Sequence, residues 1–339
     1  MYTNMQIVSP NVQLLHDFGS TLAIRLGAGR ILANFADVSC APYRQQINTL
    51  NPLKVYSKMK RALTLLALVV LSTAAFAQRN LVRSEDVKTF LKSKTYVVLE
   101  HNMTSGYNAE IKAAVKKSWN ITEYEFITAQ QFEEMRQDID KSFLVLVKMK
   151  FPDDKTVPLY NFLSVSLGAA VKNITDMPDV CSMPLCYDGL SEDTYTFKLE
   201  GIIRFMQNYI RMIDANPALI KKDAFKQFNA NNGEVKKKEL WVNETSLAKE
   251  VRGLADLRKT YKHTVKVVKP EDIQKAIEEK NPNVLYLHKV GPEGSRMQWR
   301  VYKMILGAGD DKMYYYDVHN CKTKELDGFL AKDFKKINK

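Results

Sequence analysis

The sequence predicts an α/β protein built from two tandem copies of one mixed-sheet module: strand-helix-strand-helix-strand, then antiparallel hairpin strands and a closing helix. Three observations carry this expectation. Helical and strand periodicities alternate through the first part of each half, which favours parallel pairing through right-handed crossovers. Turn segments such as Gly291-Pro292-Glu293-Gly294 and Gly309-Asp310-Asp311 then separate apolar strands, as antiparallel hairpins require. The same order recurs at a nearly constant offset: 138 residues from Leu81 to Leu219, 141 from Phe126 to Val267 and 139 from Leu167 to Leu306.

In the first half, Leu81, Val82, Val87, Phe90 and Leu91 mark an amphipathic helix that leads into the strand Tyr96-Val97-Val98-Leu99. Ile111, Ala114, Val115 and Trp119 fall at helical spacing, and Tyr124-Glu125-Phe126-Ile127 alternates as a half-buried strand does. Thr128 caps the next helix, with Gln131 placed three residues on for a capping box. Phe143 to Met149 and Tyr160 to Leu167 read as apolar strands, Tyr195 to Leu199 as the closing strand, and Ile202 to Ile213 as a helix.

The second half repeats the series. A helix is expected over Leu219 to Phe228, a strand at Leu240-Trp241-Val242, and a helix carrying Leu247, Val251, Leu254 and Leu257. Thr264 to Val268 is the counterpart of the strand at Phe126, and Pro270-Glu271-Asp272 opens the helix that matches the one at Phe132. Strands at Val284 to Leu287, Gln298 to Leu306 and Tyr314 to Val318 follow, then a helix carrying Leu326, Phe329, Leu330, Phe334 and Ile337. Leu167-Gly168-Ala169 and Leu306-Gly307-Ala308 end corresponding strands.

Ahead of both halves lies an internal export signal. Met59-Lys60-Arg61 supplies a basic start, Ala62 to Leu71 an apolar run, and Ala75-Phe76-Ala77 a small-residue cleavage site before Gln78. The run is shorter than the roughly 20 apolar residues of a spanning helix. The expected organisation is a leader at 1–58, translated from an early start or disordered, a signal peptide at 59–77, and modules at 78–216 and 217–339. The chain carries a net charge of +12, and residues 1–77 hold seven Lys/Arg against two Asp/Glu, so +7 remains after cleavage. This excess is scattered apart from Lys236-Lys237-Lys238. It suits an anionic envelope polymer or a plain solvated surface. Export and the lack of an aromatic-basic motif argue against nucleic acid.

The strand-helix step Tyr124-Glu125-Phe126-Ile127-Thr128-Ala129-Gln130-Gln131-Phe132-Glu133-Glu134-Met135 resembles that of the TolB amino-terminal domain and of CsgG-type curli-secretion proteins. Thr264 to Ile277 is similar. The resemblance implies a periplasmic α/β module that binds or assembles with other proteins. It covers one step in each half and carries over no functional residue.

Three cysteines lie beyond the signal. Cys181 and Cys186 bracket a loop in an oxidising compartment and are expected to form a local disulfide, within an excursion from Lys172 to Ser191 that the second half lacks. Free thiols are the next reading and a metal site the last, and a bridge from Cys321 to one of the pair stays open. The sharpest catalytic candidate is Asp317-Val318-His319-Asn320-Cys321, whose alternate residues share a strand face and form a Cys–His pair beside a carboxylate. The competing reading of this set is a solvated polar face over a core of Tyr316 and Val318. Glu100-His101 ends the first strand, and Thr104-Ser105-Gly106 opens a helix whose free amides could hold an anion. His263 and His288 stand alone. Gly27-Ala28-Gly29 lacks the third glycine of a dinucleotide loop, and no hydrolase, zinc-protease or phosphate-loop motif is present.

Neither metal nor cofactor is expected. The expected function is that of an exported, non-enzymatic cell-envelope protein binding a protein, peptide or anionic surface polymer, by strand addition at a sheet edge or in a groove between the copies. The alternative is an exported hydrolase using Cys321 and His319.

Overall fold

The computed structural model describes residues 82–102, 105–294 and 299–338. The leader at 1–58, the signal at 59–77 and Cys40 lie outside the described residues. Ten strands form two five-stranded sheets, with eight α-helices among the described residues.

The first half runs α1 (Ser84–Lys92), β1 (Thr95–Leu99), α2 (Gly106–Ser118), β2 (Tyr124–Thr128), α3 (Ala129–Met135), β3 (Ser142–Met149), β4 (Tyr160–Leu167), β5 (Asp179–Tyr187) and α4 (Leu199–Ala215). The second runs α5 (Ala224–Asn229), β6 (Glu239–Val242), α6 (Leu254–Thr260), β7 (Val265–Val267), α7 (Pro270–Glu278), β8 (Val284–Val290), β9 (Arg300–Gly307), β10 (Met313–Asn320) and α8 (Ala331–Ile337). Strand order is β2-β1-β3-β4-β5 in one sheet and β7-β6-β8-β9-β10 in the other. In both, the first three strands pair in parallel and the last three antiparallel. The mixed α/β class expected from the sequence is therefore present, and the reason is local: crossovers through α-helices give the parallel pairs, and connections without an α-helix give the antiparallel ones.

Several local signals act as read. Gln131 N–H donates to Thr128 Oγ1 at 3.2 Å and Thr128 N–H to Gln131 Oε1 at 2.8 Å, which closes the capping box of α3. Gly168 has no room for a side chain, because a Cβ would collide with the Asp138 carbonyl, and its N–H donates to Lys141 O at 2.8 Å. The equivalent donor at the end of β9 is Ala308, to Val284 O at 2.9 Å. By hydrogen-bond register, then, the two Leu-Gly-Ala segments are offset by one residue.

One expected element is corrected. Residues 195–199 are not the closing strand: they form a short 3-10 turn that leads into α4. The fifth strand is β5, inside the segment read as a disulfide loop. Its nine residues are all buried, so it shows no alternation, and Pro184 disguises it further. Pro184 is tolerated beside a register shift, and its carbonyl faces His288 Nε2 at 2.8 Å.

Residues 82–338 belong to one compact unit. A large core takes in both sheets, with Tyr286, Tyr302, Met304, Leu306 and Tyr316 of the second sheet among first-half residues. The opposite face of the second sheet (Leu285, Leu287, Ile305, Tyr315) packs with Val251, Phe329 and Phe334 in a separate cluster. Helix α4 ties the halves together: Arg204 donates to Ile277 O at 3.0 Å and pairs with Asp311 at 2.8 Å, while Gln207 donates to Ser118 O at 2.9 Å. Rings of Tyr160 and Phe162 meet Tyr302 edge-on at 5.7 and 5.9 Å.

The four sheet edges differ. β5 is wholly buried. The outer side of β10 is closed by α5 and the residues after it: the Asn229 amide donates to Tyr316 O and accepts from Tyr316 N–H, both at 2.9 Å, and Asn231 donates to Met313 O at 2.8 Å. The ring of Phe225 stacks on Tyr316 at 4.8 Å. Edges β2 and β7 have no such cover among the described residues.

Candidate functional site

The charge run Lys236-Lys237-Lys238 borders an open cleft of about 490 Å³ lined also by Glu239, Trp241, Thr264, Lys266, Asn281, Asn283 and Val284. It sits at the amino ends of β6, β7 and β8. Val235, fully buried, pins the 3-10 turn over 232–237, so Lys236 and Lys237 project outward. Alternation along β6 then buries Leu240 and Val242 and leaves Trp241 half-exposed at the cleft. In β7 the same alternation turns Lys266 outward.

Geometry fixes these side chains against one another. Lys266 pairs with Glu239 at 2.8 Å and lies 5.8 Å from the Trp241 ring centroid. The Trp241 indole N–H donates to the same Glu239 carboxylate at 3.1 Å. Together Lys266 and Trp241 hold the Glu239 carboxyl below its ordinary range. Lys237 pairs with Glu234 at 3.3 Å and Lys238 with Asp310 at 3.0 Å, whereas Lys236 is exposed and has no ion pair among the described residues. Four lysines and one glutamate line the cleft; Glu234, Asp310 and Glu239 pair three of the lysines, so Lys236 supplies its net positive charge. An oriented aromatic face beside several ammonium groups suits an extended anion with a flat apolar face. The sequence showed the lysine run but hid the rest, since Trp241 and Lys266 read only as a strand residue and an alternating charge.

The residues singled out from the sequence fall elsewhere. Cys181 and Cys186 are free and buried in β5, which corrects the expected disulfide. Five residues of extended chain span about 16 Å, far beyond the Cα separation a disulfide tolerates. Cys321 is also free, so no bridge joins it to either. Burial pushes the Cys186 and Cys321 thiols up, each to about 11.

Asp317, His319 and Cys321 share neither hydrogen bond nor ion pair. The Cys321 thiol donates to Thr323 O at 3.1 Å, His319 Nε2 faces Leu326 O at 2.8 Å, and burial pushes the imidazole down to about 4. Burial opposes ionisation of Asp317, but Lys303 and Lys336 hold its carboxyl well below the ordinary range. A protonated thiol beside a neutral imidazole turned to another acceptor is the reverse of an activated nucleophile.

Glu100 and His101 are exposed. The amide end of α2 is already occupied by this chain: Glu192 accepts from Ser105 Oγ at 2.7 Å and from Tyr107 N–H at 3.0 Å. His263 packs edge-on to Tyr261. His288 is fully buried, and burial together with the nearby Lys198 charge pushes it down to about 3. Among the described residues no group of three or more His, Cys, Asp or Glu could hold a metal, and no helix is long and apolar enough to cross a membrane. Comparison of the chain with family models, with curated proteins and with solved structures finds no match in any of the three.

Proposed function

We propose that the chain is an exported, non-enzymatic cell-envelope protein, two copies of one α/β module, that binds an anionic surface polymer in the lysine–tryptophan cleft of its second half. The observation that carries the reading is the cleft itself, where four lysines and a half-exposed indole line the amino ends of three strands. Export rests on the pattern from Met59 to Ala77, and amino-terminal sequencing of the exported protein should begin at Gln78. The likeness of the Tyr124–Met135 step to TolB and CsgG-type modules agrees with an envelope role.

The duplication is supported by the shared strand order and by one paired detail. Lys94 and Glu125 pair at 2.7 Å with Lys94 5.6 Å from the Tyr96 ring, and Glu239 and Lys266 pair at 2.8 Å beside Trp241 at the corresponding register. The two signs are exchanged.

The test is a titration of the purified chain with a uronic-acid polysaccharide and with a neutral glucan, read by tryptophan fluorescence at low and high salt. Saturable binding to the charged polymer alone is expected, weakening as salt screens the lysines. Trp241→Ala, or Lys236, Lys237 and Lys238 changed together to Gln, should weaken it about tenfold or more. Equal binding by the parent and the lysine variant, or no binding to the charged polymer, would end the proposal.

A further inference from the structure

We infer that copies of this chain associate head to tail by adding strand β2 of one copy to strand β7 of the next. An open edge is a template for another strand, and folds usually cover it. Here β5 is buried and β10 is closed by the Asn229 and Asn231 amides, yet β2 and β7 stay open among the described residues. The two open edges carry opposite charge. Along β2, Glu123 and Glu125 are exposed, and along β7 and its flanks Lys262, Lys266 and Lys269 are. Glu125 and Lys266 are the outer members of ion pairs with Lys94 and Glu239, and each stays about half exposed toward the open edge.

The shared sheet topology decides the partner and the direction. β2 and β7 hold the same outer position, with Glu125 opposite Tyr96 and Lys266 opposite Trp241. A half-turn about the sheet normal joins two equivalent edges as an antiparallel pair with Glu125 and Lys266 on one face. A half-turn about the strand axis would join them in parallel with the two residues on opposite faces, so the charge pair selects the first. That face then holds a cross-strand pair of opposite charge, and the other sets Tyr124 and Phe126 against Val265 and Val267. Pairing β2 with β2 would set Glu125 against Glu125, and β7 with β7 would oppose lysines, so like charges select against both. Because the two patches differ, the contact is heterologous and repeats from copy to copy, building a ring where the rotation closes and an open chain where it does not.

Sedimentation velocity of the full chain over a range of concentrations tests this. At low salt the mass should rise with concentration, and it should fall toward the monomer when salt screens the pair. Glu125→Lys alone and Lys266→Glu alone should abolish association, and the double exchange should restore it. Both side chains are about half exposed, 52% and 53%, so the reversals leave the core untouched, which unfolding curves check. A parent chain that is monomeric at every concentration overturns the inference, as does a single reversal that associates like the parent or a double exchange that does not. Glu125 lies outside the cleft, so Glu125→Lys must keep polymer binding. Loss of self-association and failure of the binding proposal are thereby separable.

Discussion

One row across each sheet shows how differently the same backbone positions can be filled. In the first sheet, Leu146 lies opposite Leu163, and Leu163 opposite Met183. In the second, the register puts Lys289 opposite Lys303 and Lys303 opposite Asp317. Leu163, Met183 and Lys303 are all fully buried. The apolar row fills the large core, whereas the charged row is met by acids from elsewhere: Lys303 bonds both Asp333 oxygens of α8 at 2.7 Å, and Lys289 bonds Asp327 at 3.0 Å and Glu293 at 2.5 Å. Asp333 also caps α8 through Leu330 N–H at 2.7 Å and accepts from Tyr315 Oη at 2.8 Å. An apolar row can be covered by any surface of suitable shape; a buried lysine row accepts only an element that brings carboxylates to fixed points. The second sheet thus specifies where α8 docks, at the cost of two desolvated lysines.

That contrast is most easily broken at Asp333. Asp333→Ala leaves Lys303 buried without its main counter-charge and should cost about 3–5 kcal/mol in urea unfolding. The double change Lys303→Leu with Asp333→Asn removes both charges and keeps a side chain for the cap, so it should lose clearly less than Asp333→Ala alone. If it loses as much, the charged row is not interchangeable with the apolar one. In the first sheet Leu163→Ala should cost about 2–5 kcal/mol through the cavity it leaves, with no dependence on pH between 5 and 8.

The halves also differ in their response to pH. Asp179 is buried among hydroxyls, with Ser182 Oγ donating to it at 2.6 Å and no cation beside it; burial pushes its carboxyl up to about 7. Its proton is held more tightly in the folded state, so its contribution is complete below the unfolded value near 4 and is lost as pH rises through about 7. Asp179→Asn should remove that loss, at most about 4 kcal/mol between pH 4 and 8, read as a flatter pH dependence of the urea midpoint. His319 runs the other way. Its lowered value makes folding stability complete above about 6.5 and lost as pH falls toward 4, and His319→Gln should flatten the acid side. The smallest effects belong to the paired surface bridges: Lys94→Ala and Glu239→Ala should leave the unfolding midpoint unmoved, because exposed ion pairs contribute little.

The parts of this fold that the sequence disclosed are those with a local cause. Alternation marked β2, spacing marked α2, and Thr128 with Gln131 marked the start of α3. β5 escaped because a strand buried on both faces has no period, and its two cysteines and proline looked like a stapled loop. The helix expected over 219–228 divides into a 3-10 turn at Pro217–Lys221 and α5, and the final helix starts only at Ala331. Of the candidate site, the lysine run was visible as a run. Its partners Trp241, Lys266, Asn281 and Asn283 come together only through parallel pairing of β6 with β7 and β8, which no local pattern encodes.

The amides of Asn229 and Asn231 on β10 bear on how the chain can be dissected. They lie in the connection between the two sheets, which therefore acts as the missing sixth strand of the second. A fragment begun at Glu239, where that sheet starts, would keep all five strands and still present a bare, sticky border. Beginning it before Ala224 closes that border, but the face carrying Tyr286, Tyr302 and Tyr316 still loses its first-half cover, so the second sheet is expected to need the first half to remain in solution.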